Sequence, residues 1–208
     1  TYKQIFSEIA NEYDLPVEIL FASSSEEGLR NFVSDKKLAS TGDASFPING
    51  FEYFGLDFFA SDFERLVKGG YLDREFSSQF KESTTINEKG KEVPTANLKT
   101  VEDAILAKAA YLTYYNNRIV EYANTNDIAL SDEATNFFMV VAYNAGFDNA
   151  KQMLSEYSKA GYLENDAFLF KRPTESRNDV VLKDTSWAEP YEFAMRRMIP
   201  AKVWREQS

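Results

Sequence analysis

Residues 131–146 leave this chain few choices of fold. Ser131 or Asp132 can cap a helix at one end and Gly146 can stop it at the other. Between them, Phe137, Phe138, Val140 and Val141 make the stretch apolar on most of its sides. A helix without a polar face is stable only when other elements cover it. Ser131–Ala145 therefore predicts a buried helix with further helices bundled around it. The longest periodic segment precedes it: Val101, Ile105, Ala109, Leu112 and Ile119 recur at helical spacing and predict a central helix over about 101–123.

The remaining segments supply the cover. Tyr2, Ile5, Phe6, Ile9 and Tyr13 stripe one face of a helix over residues 2–13. Pro16 opens a second helix through Val17, Ile19, Leu20 and Phe21, which Gly28 can close. A loop over about 35–49 leads to a third helix, roughly Phe58 to Lys68, ended by Gly69 and Gly70. Two more are expected near 148–160 and 188–198, with a polar loop around 171–184 between them. Residues 81–96 break the helical pattern: Thr84-Thr85-Ile86 and Glu92-Val93 flank Asn87-Glu88-Lys89-Gly90, which predicts a small β-hairpin inside an insertion at about 77–100. Lys68–Asp73 and Lys159–Glu164 resemble one another, and we read both as a glycine helix cap followed by an apolar contact. With 208 residues, 44% of them hydrophobic, and no break in composition, the expectation is one mainly α domain over 1–208 with some α+β character.

Composition removes whole classes of chemistry. The chain has neither cysteine nor histidine, so Ser-His-Asp hydrolysis, Cys-His proteolysis and ordinary zinc catalysis all lack their central residue. Acid–base work near neutral pH then falls to a carboxylate, a lysine or a tyrosine in a perturbed setting. The net charge of −10 removes the footprint that non-specific nucleic-acid or anionic-membrane binding requires. No run of eighteen apolar residues occurs, so membrane insertion is not expected. The polar, non-Met start Thr1-Tyr2-Lys3-Gln4 suits a processed product or a domain of something longer, and leaves the compartment undetermined.

Among the carboxylates, the pair Glu26-Glu27 has the most suggestive setting. An apolar helix that ends in Ser23-Ser24-Ser25 and then Glu26-Glu27-Gly28 would hold a carboxylate at a half-buried helix end. Desolvation and the negative end of the helix dipole both favour the protonated form there. Taken alone, two adjacent glutamates at a helix end describe a solvated terminus.

Ala142-Tyr143-Asn144-Ala145-Gly146, at the end of the apolar helix, changes the balance. With it the chain resembles the lytic-transglycosylase and goose-type lysozyme superfamily. Members have an apolar helix after a proline that ends in Glu-Ser-Gly, and Glu26-Glu27-Gly28 stands at the matching distance from Pro16. A Gly-Leu-Met-Gln segment follows in the family, and Gly55-Leu56-Asp57-Phe58 lies in that place. Asp103-Ala104-Ile105 and Ala110-Tyr111-Leu112 echo the next helix, the Ala-Tyr-Asn-Ala-Gly motif is identical, and Glu189-Pro190-Tyr191-Glu192-Phe193 with Arg196-Arg197 is similar to the closing one. There are departures. Asp57 and Phe58 replace the family's Met and Gln, and the closing tyrosine aligns with Phe193, which keeps the ring and loses the hydroxyl; Tyr191 would face another side of that helix.

The resemblance implies a lysozyme-like fold with a substrate cleft, one rim of which the hairpin would form. It implies cleavage of peptidoglycan glycan strands between N-acetylmuramic acid and N-acetylglucosamine. Glu26 would protonate the leaving oxygen and then take the proton of the muramoyl C6 hydroxyl, giving a 1,6-anhydro end. Tyr143 and Asn144 would hold the muramoyl unit and its N-acetyl group, Gly55, Leu56, Asp57 and Phe58 would line the cleft, and Glu189 would support it from the last helix. An inverting hydrolase is the alternative. It needs a second carboxylate roughly 6.5–9.5 Å from the first, for which Asp57, Asp43 or Glu52 could serve, although Asp57 also suits a helix N-cap. A third reading is a wall-binding or virion module that kept the fold and lost the chemistry. None of these calls for a metal or organic cofactor. The place of action would be the bacterial cell wall, reached by export or carried in a phage particle as part of a larger protein.

Overall fold

The computed structural model describes residues 2–24, 65–73, 81–86, 92–97, 101–173 and 187–207. The described chain is mainly helical and divides into two compact units, Thr1–Tyr111 and Leu112–Ser208.

In the first unit, α1 (Tyr2–Glu12) packs on α2 (Val17–Ser24). Phe6, Ile9 and Ala10 are buried from α1, Ile19, Leu20 and Ala22 from α2, and the Phe6 ring meets Phe21 edge-on at 5.3 Å. Pro16 starts α2 as its composition requires, its carbonyl accepting from Ile19 N at 3.0 Å and Leu20 N at 3.2 Å. The helical turn at 65–68 ends at Gly69 and Gly70, and Tyr13 Oη donates to Tyr71 O at 2.7 Å, tying α1 to that turn. Burial and the neighbouring Glu12 charge push Tyr13 up to about 12. Strand β1 (Lys81–Ile86) pairs antiparallel with β2 (Glu92–Asn97), in a register that sets Ser83 opposite Thr95 and Ile86 opposite Glu92.

Helix α3 (Val101–Thr125) begins in the first unit and continues into the second. Ile105, Ala109, Leu112 and Ile119 are buried along it, as their spacing predicts. Lys108 lies in the same register, three residues after Ile105 and four before Leu112, and is fully buried.

The second unit is built round α4 (Asp132–Ala145). Ser131 is its N-cap, Oγ accepting from Ala134 N at 3.0 Å while donating to Asp166 Oδ1. Phe137 through Tyr143 are buried without interruption, which is the cover that an all-apolar helix demands. The cover comes from α5 (Phe147–Lys159), from α6 (Ala188–Gln207) and from two short 3-10 turns over Glu164–Phe170. Phe137 lies 5.0 Å from Phe168 and 5.4 Å from Tyr191, and Phe138 lies 6.1 Å from Tyr157. Each such ring contributes about 1.5–3 kcal/mol of burial. Two tyrosine hydroxyls then fix the irregular segment: Tyr157 donates to Lys171 O, and Tyr191 to Phe168 O and Leu169 O at 3.0 and 2.9 Å.

The two look-alike segments are helix caps. Tyr71 N reaches Leu66 O and Gly70 N reaches Val67 O; Tyr162 N reaches Tyr157 O and Gly161 N reaches Ser158 O. That is the Schellman pattern, with Gly70 at φ 76° and Gly161 at φ 73°. Asp14 and Asp127 close α1 and α3 in the same way, at φ 52° and 54°, where a side chain costs more than glycine.

Candidate functional site

Of the residues singled out from the sequence, Tyr143, Asn144 and Glu189 are described; Glu26, Gly55, Leu56, Asp57 and Phe58 lie outside the described residues. What leads toward Glu26 is described as far as Ser24. Ser23 and Ser24 are both buried, Ser24 Oγ donates to Leu20 O at 2.9 Å, and Ser23 Oγ has no hydrogen-bond partner.

At the end of α4 the chain turns sharply. Gly146 sits at φ 83°, ψ 158°, a region nearly closed to other residues, and its N–H returns to Ala142 O at 2.9 Å. Gly146 therefore terminates the helix, as expected from the sequence. Asn149 Nδ2 donates to Ala145 O at 2.8 Å, closing the junction with α5. Asn144 is half-buried, and its Oδ1 is buried with no hydrogen-bond partner among the described residues.

Beside it, the buried Tyr143 ring faces Phe193 of α6, centroids 6.3 Å apart and planes tilted by 30°. The Arg197 guanidinium covers Phe193 at 3.2 Å, and Arg197 Nη1 donates to Phe193 O at 2.9 Å. Tyr143, Phe193 and Arg197 thus form one stack. Glu189, Phe193 and Arg197 are spaced by four residues and share a face of α6, with Glu189 exposed in its first turn, where an acid complements the helix dipole. Tyr191 points away to the Phe168 and Leu169 carbonyls, as the offset of two residues requires; it is Phe193 that reaches Tyr143.

Sequence reasoning assigned no role to Arg197 or Lys108, both buried. The signal for each was present: Arg197 stands one turn after Phe193, and Lys108 stands in the apolar register of α3. Buried cations are rare unless engaged, and both make further interactions.

Chemically, a half-buried asparagine amide at a helix end suits a neutral ligand that has an N–H or O–H to donate. Among the described residues no group of acidic side chains is placed to hold a metal ion, and no helix is long and apolar enough to cross a membrane. No family model, no curated protein and no solved structure matches the chain.

Proposed function

We propose that the chain is a peptidoglycan lytic transglycosylase that cleaves the bond between N-acetylmuramic acid and N-acetylglucosamine with Glu26 as its single acid/base. The observation that carries this reading is Asn144. Its Oδ1 has no hydrogen-bond partner among the described residues, and Gly146 supplies the cap of α4. Asn144 as a whole is only half-buried, so a small turn of its side chain would let the amide oxygen accept from the N-acetyl N–H of an amino sugar. The Tyr143 ring, buried against Phe193, would hold in place the helix end at which Asn144 meets the sugar.

In the proposed cycle the Glu26 carboxyl protonates the glycosidic oxygen as the bond to the anomeric carbon breaks. The resulting carboxylate takes the proton of the muramoyl C6 hydroxyl, whose oxygen bonds to the anomeric carbon. Glu26 ends protonated and no water is consumed. The finer architecture that goes with this reading is lysozyme-like, with the β1–β2 hairpin bordering a glycan cleft. Purified peptidoglycan incubated with the protein and analysed by mass spectrometry tests it. Soluble 1,6-anhydro-muropeptides are expected; reducing ends would replace the reading by a hydrolase, and absence of soluble product by a binding module.

A further inference from the structure

A second group of side chains in the Leu112–Ser208 unit offers a ligand something different. Arg118 Cζ lies 3.9 Å from the centroid of the Phe147 ring and 5.6 Å from that of Tyr114, and Arg118 Nη1 donates to Tyr114 Oη at 2.9 Å. Two rings and one hydrogen bond hold the guanidinium in place. Lys151 Nζ stands 5.7 Å from the same Phe147 ring, and Tyr122 meets that ring edge-on at 6.3 Å. Two cations thus converge on one half-buried ring in a chain of net charge −10. The acid beside them, Asp148, is bound to Lys151 at 2.7 Å and is 82% exposed. Among the described residues no carboxylate lies within ion-pair distance of Arg118.

A guanidinium has five N–H donors in a fixed fork, and Tyr114 occupies one. A pre-positioned fork with donors to spare matches a carboxylate in bidentate geometry. Phe147 and Tyr114 add apolar surface for the aliphatic part of the residue that bears it. With Asp148 nearby, a singly charged carboxylate is tolerated better than a phosphate dianion.

We propose that Arg118, Tyr114 and Phe147 form a binding site for a peptide carboxylate, with Lys151 strengthening the local positive field. On the peptidoglycan reading, on which the identity of the peptide rests, the carboxylate belongs to the acidic stem carried by the muramoyl unit. Phe147 follows Asn144 by three residues, across the Gly146 turn, so sugar and stem would be held by adjoining parts of one segment.

Calorimetric titration of the full chain tests this. The probes are the synthetic stem tetrapeptide Ala-γ-Glu-diaminopimelate-Ala, the same peptide amidated at every carboxyl, and inorganic phosphate. Amidation and Arg118→Gln are each expected to weaken binding by about tenfold or more, the scale of one charge-assisted pair, and Lys151→Gln by less. Equal binding of acid and amide, or full binding by Arg118→Gln, overturns the site. Phosphate binding as tightly as the peptide overturns the carboxylate assignment. Should Arg118→Gln fail to fold, Arg118→Lys keeps the charge and removes the fork: weaker binding supports the site, and equal binding overturns it. A wild-type chain that binds the peptide through Arg118 and releases no anhydro ends refutes the glycosidase reading alone. Release of those ends without Arg118-dependent binding refutes this site alone.

Discussion

The Arg197 guanidinium lies 3.2 Å over the Phe193 ring and anchors to that residue's own carbonyl, so one turn of α6 supplies both a cation and the surface that carries it. The same ring meets Tyr143, with centroids 6.3 Å apart. Phe193→Ala removes the middle of this stack and is expected to destabilise the protein by about 3–5 kcal/mol, as for a buried aromatic. Arg197→Lys keeps the charge and loses the planar fork, and should cost about 1 kcal/mol. Urea unfolding followed by far-UV circular dichroism measures both, and an Arg197→Lys variant as stable as wild type would mean that the ring gains nothing from the guanidinium.

Asn144→Ala separates stability from binding. Deleting a buried unsatisfied acceptor should leave stability unchanged or raise it by up to about 1 kcal/mol. Affinity for an N-acetylated glycan should fall about tenfold, the scale of one hydrogen bond. Thermal unfolding and glycan titration on the same sample check the pair, and loss of stability would mean that Asn144 is structural after all.

Glu26→Gln should lower release of soluble muropeptides by at least about a hundredfold, the usual weight of a general acid. Glu27→Gln should leave release within a few-fold of wild type. Turbidity clearing of peptidoglycan suspensions reads both, and equal losses would move the acid elsewhere.

Burial, and after it the Glu192 charge, pushes Tyr191 up to about 12. A tyrosine in the unfolded chain loses its proton near pH 10. Between pH 10 and about 12 the unfolded chain therefore binds fewer protons than the folded one, and stability falls as pH rises. The urea midpoint should drop across this window, and Tyr191→Phe should flatten the drop. At neutral pH the same change should cost about 1 kcal/mol for the lost hydrogen bonds to Phe168 and Leu169.

Asp127→Gly should stabilise the end of α3 by about 0.5–1 kcal/mol, because φ 54° suits glycine and strains aspartate. Gly161→Ala, at φ 73° with open space around the added methyl, should cost about 1 kcal/mol through the backbone alone. Melting temperatures of the two variants should move in opposite directions.

Helices were legible wherever one face had to be buried. α1, α3, α4 and α5 begin and end within two residues of where apolar spacing and caps put them. The last helix was not legible to its end. Pro200 argues for a stop near 198, since proline removes a helix N–H, yet α6 continues to Gln207. Asp14 and Asp127 give no warning of left-handed caps, because aspartate fits many turns and glycine few. The turns at Asn165 and Asp166 escape for the same reason. Within the candidate site, the motif at Tyr143 and Asn144 and the one-turn spacing of Phe193 and Arg197 could be read directly, whereas the meeting of Phe193 with Tyr143 depends on tertiary packing that no local pattern specifies.

The unbroken burial of α4 has a dynamic corollary. Backbone amides of Phe138–Val141, shielded on every side, open only when their whole unit unfolds and should be among the slowest to exchange with deuterium. Tyr143 and Asn144 lie at the end of that element. They sit at the edge of the stiffest part of their unit, so a ligand that meets them has little motion left to quench, and most of the contact energy survives as affinity.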